Sequence, residues 1–311
     1  MKEYIVYQVD AFTRTLFKGN PAGVVLNADG LSDAAMQRIA RELNNSETAF
    51  LFLPDDHTCD GMIRYFTPTV EVPTCGHATV AAMYAMGVEQ GLGSRVFRMK
   101  TRIGVLPFEV LKTGRGYKVV MTQGEIKISD PLSETDKKQL LGLLGLNSRD
   151  IDTRCPVQIA STGHAKVMIG ITDRERLNTL TPDFNGLKRF SRTIDCTGYF
   201  VFTLQSDTPG ILSHGRMFAP AIGIDEDPVT GNANGPLGAY LVHNKIVDTA
   251  ADCLCFKGKQ GETLGREGIV EVKVDIKNRQ PVKVRIMGEA AIVFRTSIQI
   301  EPQSDQIRIN K

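Results

Sequence analysis

Tryptophan is missing from this chain of 311 residues, and no apolar run approaches the ~18 residues that a membrane-spanning helix needs. A helical membrane protein is therefore excluded. The opening MKEYIVYQVDAF has no basic segment followed by an apolar one, so no secretory leader is expected and a cytoplasmic location is. Charge of one sign is also lacking: the net value is +2, with Lys and Arg scattered, which removes the basic footprint of a nucleic-acid binder. Close cysteine pairs are scarce. Of Cys59, Cys75, Cys155, Cys196, Cys253 and Cys255 only the last two are near neighbours, and without a leader they read as reduced thiols. With no second pair and no histidine beside them, Cys253 and Cys255 read as small buried hydrophobes rather than metal ligands. No G-x-G-x-x-G follows a strand and no lysine motif suggests pyridoxal chemistry, so neither an organic cofactor nor a metal is expected.

What is present is an ordinary globular composition, 42% hydrophobic and 23% charged, at a length that suits two domains. Alternation predicts a strand at Tyr4–Val9, and Gly19-Asn20-Pro21 turns the chain into a second at Ala22–Leu26. Ser32 is a suitable N-cap for a helix over Asp33–Leu43, ended by Asn44-Asn45. Ala49–Leu53 reads as a buried strand, so Ser46-Glu47-Thr48 lies at a helix-to-strand junction, where sites often occur. Ile63–Phe66 is a further strand. After Pro68 and Pro73 the stretch from Ala78 to Met86 has almost no polar position, which predicts a helix enclosed by its own domain. Strands follow at Arg95–Lys100, Val105–Leu111 and Tyr117–Met121, then a helix from Ser133 and Asp136 to near Gly145.

The second half repeats the plan. Phe66-Thr67-Pro68, ten residues before Gly76-His77-Ala78, is echoed by Phe218-Ala219-Pro220, thirteen before Gly231-Asn232-Ala233. Ser46-Glu47-Thr48-Ala49 is paired in the same way with Thr162-Gly163-His164-Ala165 ahead of Val167–Ile171. An internal repeat of this kind predicts an α+β protein of two similar domains, each a curved, mostly antiparallel sheet around one central helix, with a cleft between them. The expected division is 1–128 and 129–311, and the last strands near Ala291–Ile300 are candidates to pack back onto the first domain.

Gly19-Asn20-Pro21-Ala22, Asn45-Ser46-Glu47-Thr48, Phe66-Thr67-Pro68, Gly76-His77-Ala78-Thr79 and Glu226-Asp227-Pro228-Val229-Thr230-Gly231 together resemble the PhzF family of phenazine-biosynthesis isomerases. The likeness is nearest to bacterial PhzF-like proteins of unassigned substrate. It implies a diaminopimelate epimerase-like fold with the active site between the domains, a homodimer, and a small acidic metabolite as substrate. It also implies an acid/base at Glu47, with His77 and Asp227 completing the catalytic set. The family's serine shortly after that aspartate falls on Asn232, a departure that puts the phenazine substrate in question.

By itself Glu47 reads as a solvated or capping glutamate; the resemblance makes it the group that takes a proton from carbon and returns it elsewhere. Burial would move its pKa from ~4.3 towards the working pH. His77, at a helix N-terminus, is expected to be neutral and to hydrogen bond to substrate, the alternative being a buried histidine satisfied by backbone. Asp227 reads equally as a helix cap. Gly76 and Gly231 would let backbone approach a ligand, and two helix N-termini would suit carboxylates. Asn20, Ser46, Thr79 and Thr230 are weaker candidates for lining the site, with Asn232 beside them. Two rival readings remain at this stage. A racemase could use Cys75, although its partner thiol would fall on Thr230, and a threonine hydroxyl without a strong base cannot deprotonate carbon. A non-catalytic small-molecule binder is the other.

Overall fold

Local signals set many element ends in the computed structural model, which describes residues 2–300. Ser32 caps the first helix, its Oγ accepting from the Ala35 N–H at 3.3 Å, and Asn44 closes it in the left-handed region at φ 51°. The first half runs β1 (Lys2–Ala11), β2 (Asn20–Val25), α1 (Asp33–Leu43), β3 (Thr48–Phe52), β4 (Gly61–Phe66), β5 (Glu71–Val72), α2 (Gly76–Gln90), β6 (Arg95–Thr101), β7 (Gly104–Thr113) and β8 (Gly116–Thr122). The second runs β9 (Lys127–Pro131), α3 (Glu134–Leu143), β10 (Gln158–Ser161), β11 (Lys166–Ile171), α4 (Arg174–Asn178), α5 (Phe184–Thr193), β12 (Tyr199–Thr203), β13 (Ser213–Ala219), β14 (Ile224–Asp227), α6 (Gly231–His243), β15 (Cys253–Gln260), β16 (Gly268–Lys277), β17 (Gln280–Gly288) and β18 (Ala290–Ile300).

The repeat is visible in the strand pairing. β1 is antiparallel to β2, β2 parallel to β3, β3 antiparallel to β4, and β4 parallel to β6, followed by antiparallel β6·β7 and β7·β8. In the same order β10 is antiparallel to β11, β11 parallel to β12, β12 antiparallel to β13, and β13 parallel to β15, followed by antiparallel β15·β16 and β16·β17. β8 pairs with β17, which makes the sheet continuous between the halves. The final strand β18 returns to β1 in register Lys2↔Ile300 to Ala11↔Ala290, so the end of the chain completes the sheet of its beginning.

This topology corrects one of the echoes drawn from sequence. Phe66 and Phe218 occupy equivalent strands, and the two Gly-led helices are equivalent. Glu47, however, precedes β3, whose counterpart is β12, whereas Thr162–Ala165 precede β11, the counterpart of β2. The Glu47 carbonyl accepts from Gly23 N–H, and the Gly198 carbonyl accepts from Val167 N–H in the same register. Gly198 is therefore the structural equivalent of Glu47.

Both parallel crossovers place a helix against the sheet, but on different sides. α1 covers the β2–β3 crossover over a small apolar cluster of Met36, Ile39 and Phe50, and α5 covers its counterpart over Leu187, Phe190 and Val201. α2 and α6 lie inside, α2 packed on β1, β2, β3, β7, β8 and β18, and α6 on β10, β11 and β15 to β17. An apolar helix must be enclosed on every side to stay out of water, and Val80, Ala81, Ala82 and Met83 are wholly buried. Residues of α2 and α6 belong to one continuous buried cluster, which also takes in Phe12 and Ile286.

Candidate active site

Glu47 is held at the mouth of β3 by its backbone, and its side chain reaches the first turn of α2. Its Oε2 lies 3.4 Å from His77 Nε2, with the carboxylate side chain 15% exposed and the imidazole 9%. Ser46 Oγ sits 3.1 Å from the same nitrogen. The opposite nitrogen, Nδ1, faces the Cys75 sulfur at 3.5 Å. Burial pushes the Cys75 thiol well above its usual range, and the negative charge of Glu47 pushes it further. A thiol that keeps its proton can donate to His77 Nδ1 or to the Glu47 carboxylate, so the Cys75 sulfur packs against both members of the pair. Glu47, Cys75 and His77 form a compact group of potential metal ligands.

Asp227 closes β14 and is gripped by side chains. Its Oδ1 accepts from Asn20 Nδ2 at 2.7 Å, and its Oδ2 accepts from the Thr230 hydroxyl. Asn20 also donates to the Val229 carbonyl at 2.8 Å, so a residue of the first half is tied to the segment that leads into α6. The capping reading of Asp227 is not met: the N-cap of α6 is Thr230, and no side chain caps this helix. Burial raises the Asp227 pKa, and the charge of Glu47 adds to the rise against the opposing effects of His77 and Thr230. Two carboxylates thus share one electrostatic neighbourhood.

The weaker candidates divide. Asn20 and Ser46 bond to Asp227 and His77 as described, and Thr230 is bonded to Asp227. Thr79 is fully buried, its hydroxyl donating to the Cys75 carbonyl at 2.6 Å and contacting Tyr65 Oη at 2.6 Å, so it belongs to the core. Asn232 Oδ1 accepts from Gln123 Nε2 at 3.0 Å, and Gln123 Oε1 accepts from the Thr162 hydroxyl. The two glycines differ. A Cβ on Gly76 would meet nothing within 4 Å, whereas one on Gly231 would sit 2.4 Å from Ile286 Cδ1 and 3.3 Å from Phe12 Cζ. Gly76 leaves room for a ligand against backbone, and Gly231 is demanded by packing.

Gln260 carried no sequence signal. It is fully buried at the end of β15, donating to the Asp227 carbonyl at 2.9 Å and accepting from Thr230 N–H at 3.1 Å and Asn234 Nδ2 at 3.0 Å. A cavity of about 430 Å³ lies elsewhere, lined by Arg14, Lys18, Lys118 and Lys259 among others, and touches none of Glu47, His77 or Asp227. Its cations are tied to carboxylates, as in Lys18–Glu267 and Lys118–Glu271 at 2.7 Å each, and it has the character of a solvated ion-pair network.

The chain is 52% identical over 299 residues to an uncharacterized isomerase of Clostridium acetobutylicum, covering 96% of this chain and 99% of the relative. It is 29% identical over 299 residues to the trans-2,3-dihydro-3-hydroxyanthranilate isomerase of Pseudomonas fluorescens, with 96% and 99% covered. Among solved structures it resembles the PhzF-family phenazine biosynthesis protein of Bacillus anthracis, at a TM-score of 0.86 and 31% identity over 96% of this chain and 100% of that one. A hydroxyproline epimerase of Agrobacterium vitis shares the fold at a TM-score of 0.57 and 12% identity, over 95% and 92%. The family described as phenazine biosynthesis-like protein matches residues 9–296, and with these likenesses the chain belongs to that PhzF family and is an isomerase.

Proposed function

We propose that the protein moves a proton between positions of a small carboxylate-bearing metabolite, with the Glu47 carboxylate as acid/base and His77 and Asp227 as its partners in a cleft between the two halves. The observation that carries this reading is the Glu47–His77 contact at 3.4 Å, made by a carboxylate largely withdrawn from water. A base so placed takes a carbon-bound proton, forms its own O–H bond while the electron pair shifts along the unsaturated system, and returns the proton at another carbon. No oxidation state changes, so the chemistry demands no redox partner. A proton on His77 Nε2 would hydrogen bond to the negative charge that develops on substrate oxygen or carboxylate. Ser46 and Asn20 would keep His77 and Asp227 in place, and the open face of Gly76 would admit the ligand.

The cysteine-based alternative is weaker on two counts. The Cys75 thiol is held protonated, and the opposing position carries Thr230, whose hydroxyl is engaged by Asp227. The test is a screen of amino acids and unsaturated acids in deuterated water with wild type and Glu47→Gln. Wild type is expected to introduce carbon-bound deuterium into one class of acid and Glu47→Gln to lose about 10²–10⁴-fold in that rate. Undiminished uptake in Glu47→Gln would remove Glu47 from the chemistry, and no uptake by wild type would leave a binding protein.

A further inference from the structure

The second half runs a buried lysine side chain across the position equivalent to Glu47. Lys166 opens β11 and is 8% exposed, although lysine is almost never buried without a charged partner. Among the described residues it forms no ion pair; its ammonium donates to the Ala165 carbonyl at 3.1 Å and approaches that of His164 at 3.5 Å. Its stem crosses Gly198, the equivalent of Glu47: a Cβ there would lie 2.3 Å from Lys166 Cδ and 2.5 Å from Met217 Cε. Met217 in turn is the cross-strand partner of Asp227. The loop whose carbonyls receive the ammonium also connects, through Thr162 and Gln123, to Asn232 on the first turn of α6. Lys166 and Met217 thus meet over Gly198, and the loop before Lys166 is hydrogen bonded through Gln123 to Asn232.

Withdrawing an ammonium from water without a counter-ion costs free energy, and two carbonyl oxygens repay only part of it. Burial disfavours the Lys166 charge, and Cys196 and then Asp227 partly oppose that effect. An arrangement of this kind is completed by an anion. We propose that Lys166 is the anion anchor of this enzyme, binding a carboxylate of the substrate opposite the Glu47 carboxylate that moves the proton. The assignment rests on the reading of the Glu47, His77 and Asp227 group as the active site, and it adds a specificity-determining residue from the second half. Gly198 then has a reason to be glycine, since any side chain would displace the Lys166 stem.

Thermal denaturation of the full chain in sodium acetate, malonate, succinate, benzoate and 3-hydroxyanthranilate, against sodium chloride of equal ionic strength, tests this directly. At least one carboxylate is expected to raise the Tm of wild type and of Glu47→Gln alike. In Lys166→Met the midpoint of that effect should move to about tenfold higher concentration or more. Lys166→Gln, whose amide still donates to Ala165, serves if the Met variant does not fold. A carboxylate effect of equal midpoint in the Lys166 variant and wild type, or none in wild type, overturns the proposal. Separation from the catalytic reading is built in: an anion effect lost only with Lys166 keeps the anchor even if Glu47→Gln still exchanges deuterium.

Discussion

At the scale of single residues, the site separates side chains that contact the proposed chemistry from those that hold them. Cys75 falls in the second group, its thiol packed 3.5 Å from His77 Nδ1. Cys75→Ser is accordingly expected to remain active and to be insensitive to iodoacetamide, as is the wild type, whose thiol is buried and protonated. Rapid inactivation of wild type by iodoacetamide, prevented in Cys75→Ser, would restore the thiol to the mechanism. The two helix-leading glycines give a paired prediction. Gly76→Ala should keep its melting temperature and lose turnover, because the added methyl enters open space beside His77. Gly231→Ala should lose about 1–3 kcal/mol of stability by denaturant titration, since the methyl is forced against Ile286 and Phe12. Loss of stability in the first variant or none in the second would contradict the assignment.

Residues of this kind were unequally legible. Glu47, His77 and Asp227 lie in short segments whose resemblance to a family marked them, and the structure adds the 3.4 Å contact between Glu47 and His77. Gln260 sits in a strand with no motif around it, and its hydrogen bonds to Asp227, Thr230 and Asn234 come from residues 26 to 33 positions away. Thr79 was misread as a lining residue because its helix is enclosed on all sides, so a neighbour of His77 in sequence turns into the core.

At the scale of elements, boundaries followed from local chemistry where caps were present. Ser32 and Asn44 delimit α1 as the sequence indicated, and the unbroken apolar surface of α2 required its burial. The echo of Glu47 was misplaced because β2 and β3 are parallel neighbours, which brings the loops before both strands to the same end of the sheet. Four short residues could not say which loop was which; strand order could. A second site of consequence at this scale is the ion cluster on the β13–β15 crossing. Glu262 accepts from His214 Nδ1 at 2.7 Å, Arg174 at 2.7 Å and Lys259 at 3.0 Å. Burial alone would raise its pKa, but these donors bring it from 4.5 down to about 2. The unfolded chain therefore takes up this proton at higher pH than the folded one. The resulting stabilisation is complete above the ordinary carboxyl pKa and is lost as pH falls from about 4.5 towards about 2. The Tm gap between wild type and Glu262→Gln should narrow over that interval; a gap independent of pH would show that the cluster is energetically idle.

For the whole molecule, the two halves repeat one strand pairing, and the proposed functional asymmetry lies in what each places at one equivalent position. The first half carries Glu47 and the second carries Gly198 with the Lys166 stem across it, which suits a single base working against a fixed anion rather than two opposed bases. Hydrogen bonds from Asn20 to Asp227 and Val229, and the paired strands β8 and β17, tie the halves together around that asymmetry. The most direct measurement is deuterium uptake at carbon, from deuterated water, followed side by side in wild type, Glu47→Gln and Cys75→Ser on an acid that wild type exchanges. One-base chemistry at Glu47 predicts uptake by wild type and Cys75→Ser and a loss of about 10²–10⁴-fold in Glu47→Gln. Uptake that survives in Glu47→Gln and disappears in Cys75→Ser would contradict it.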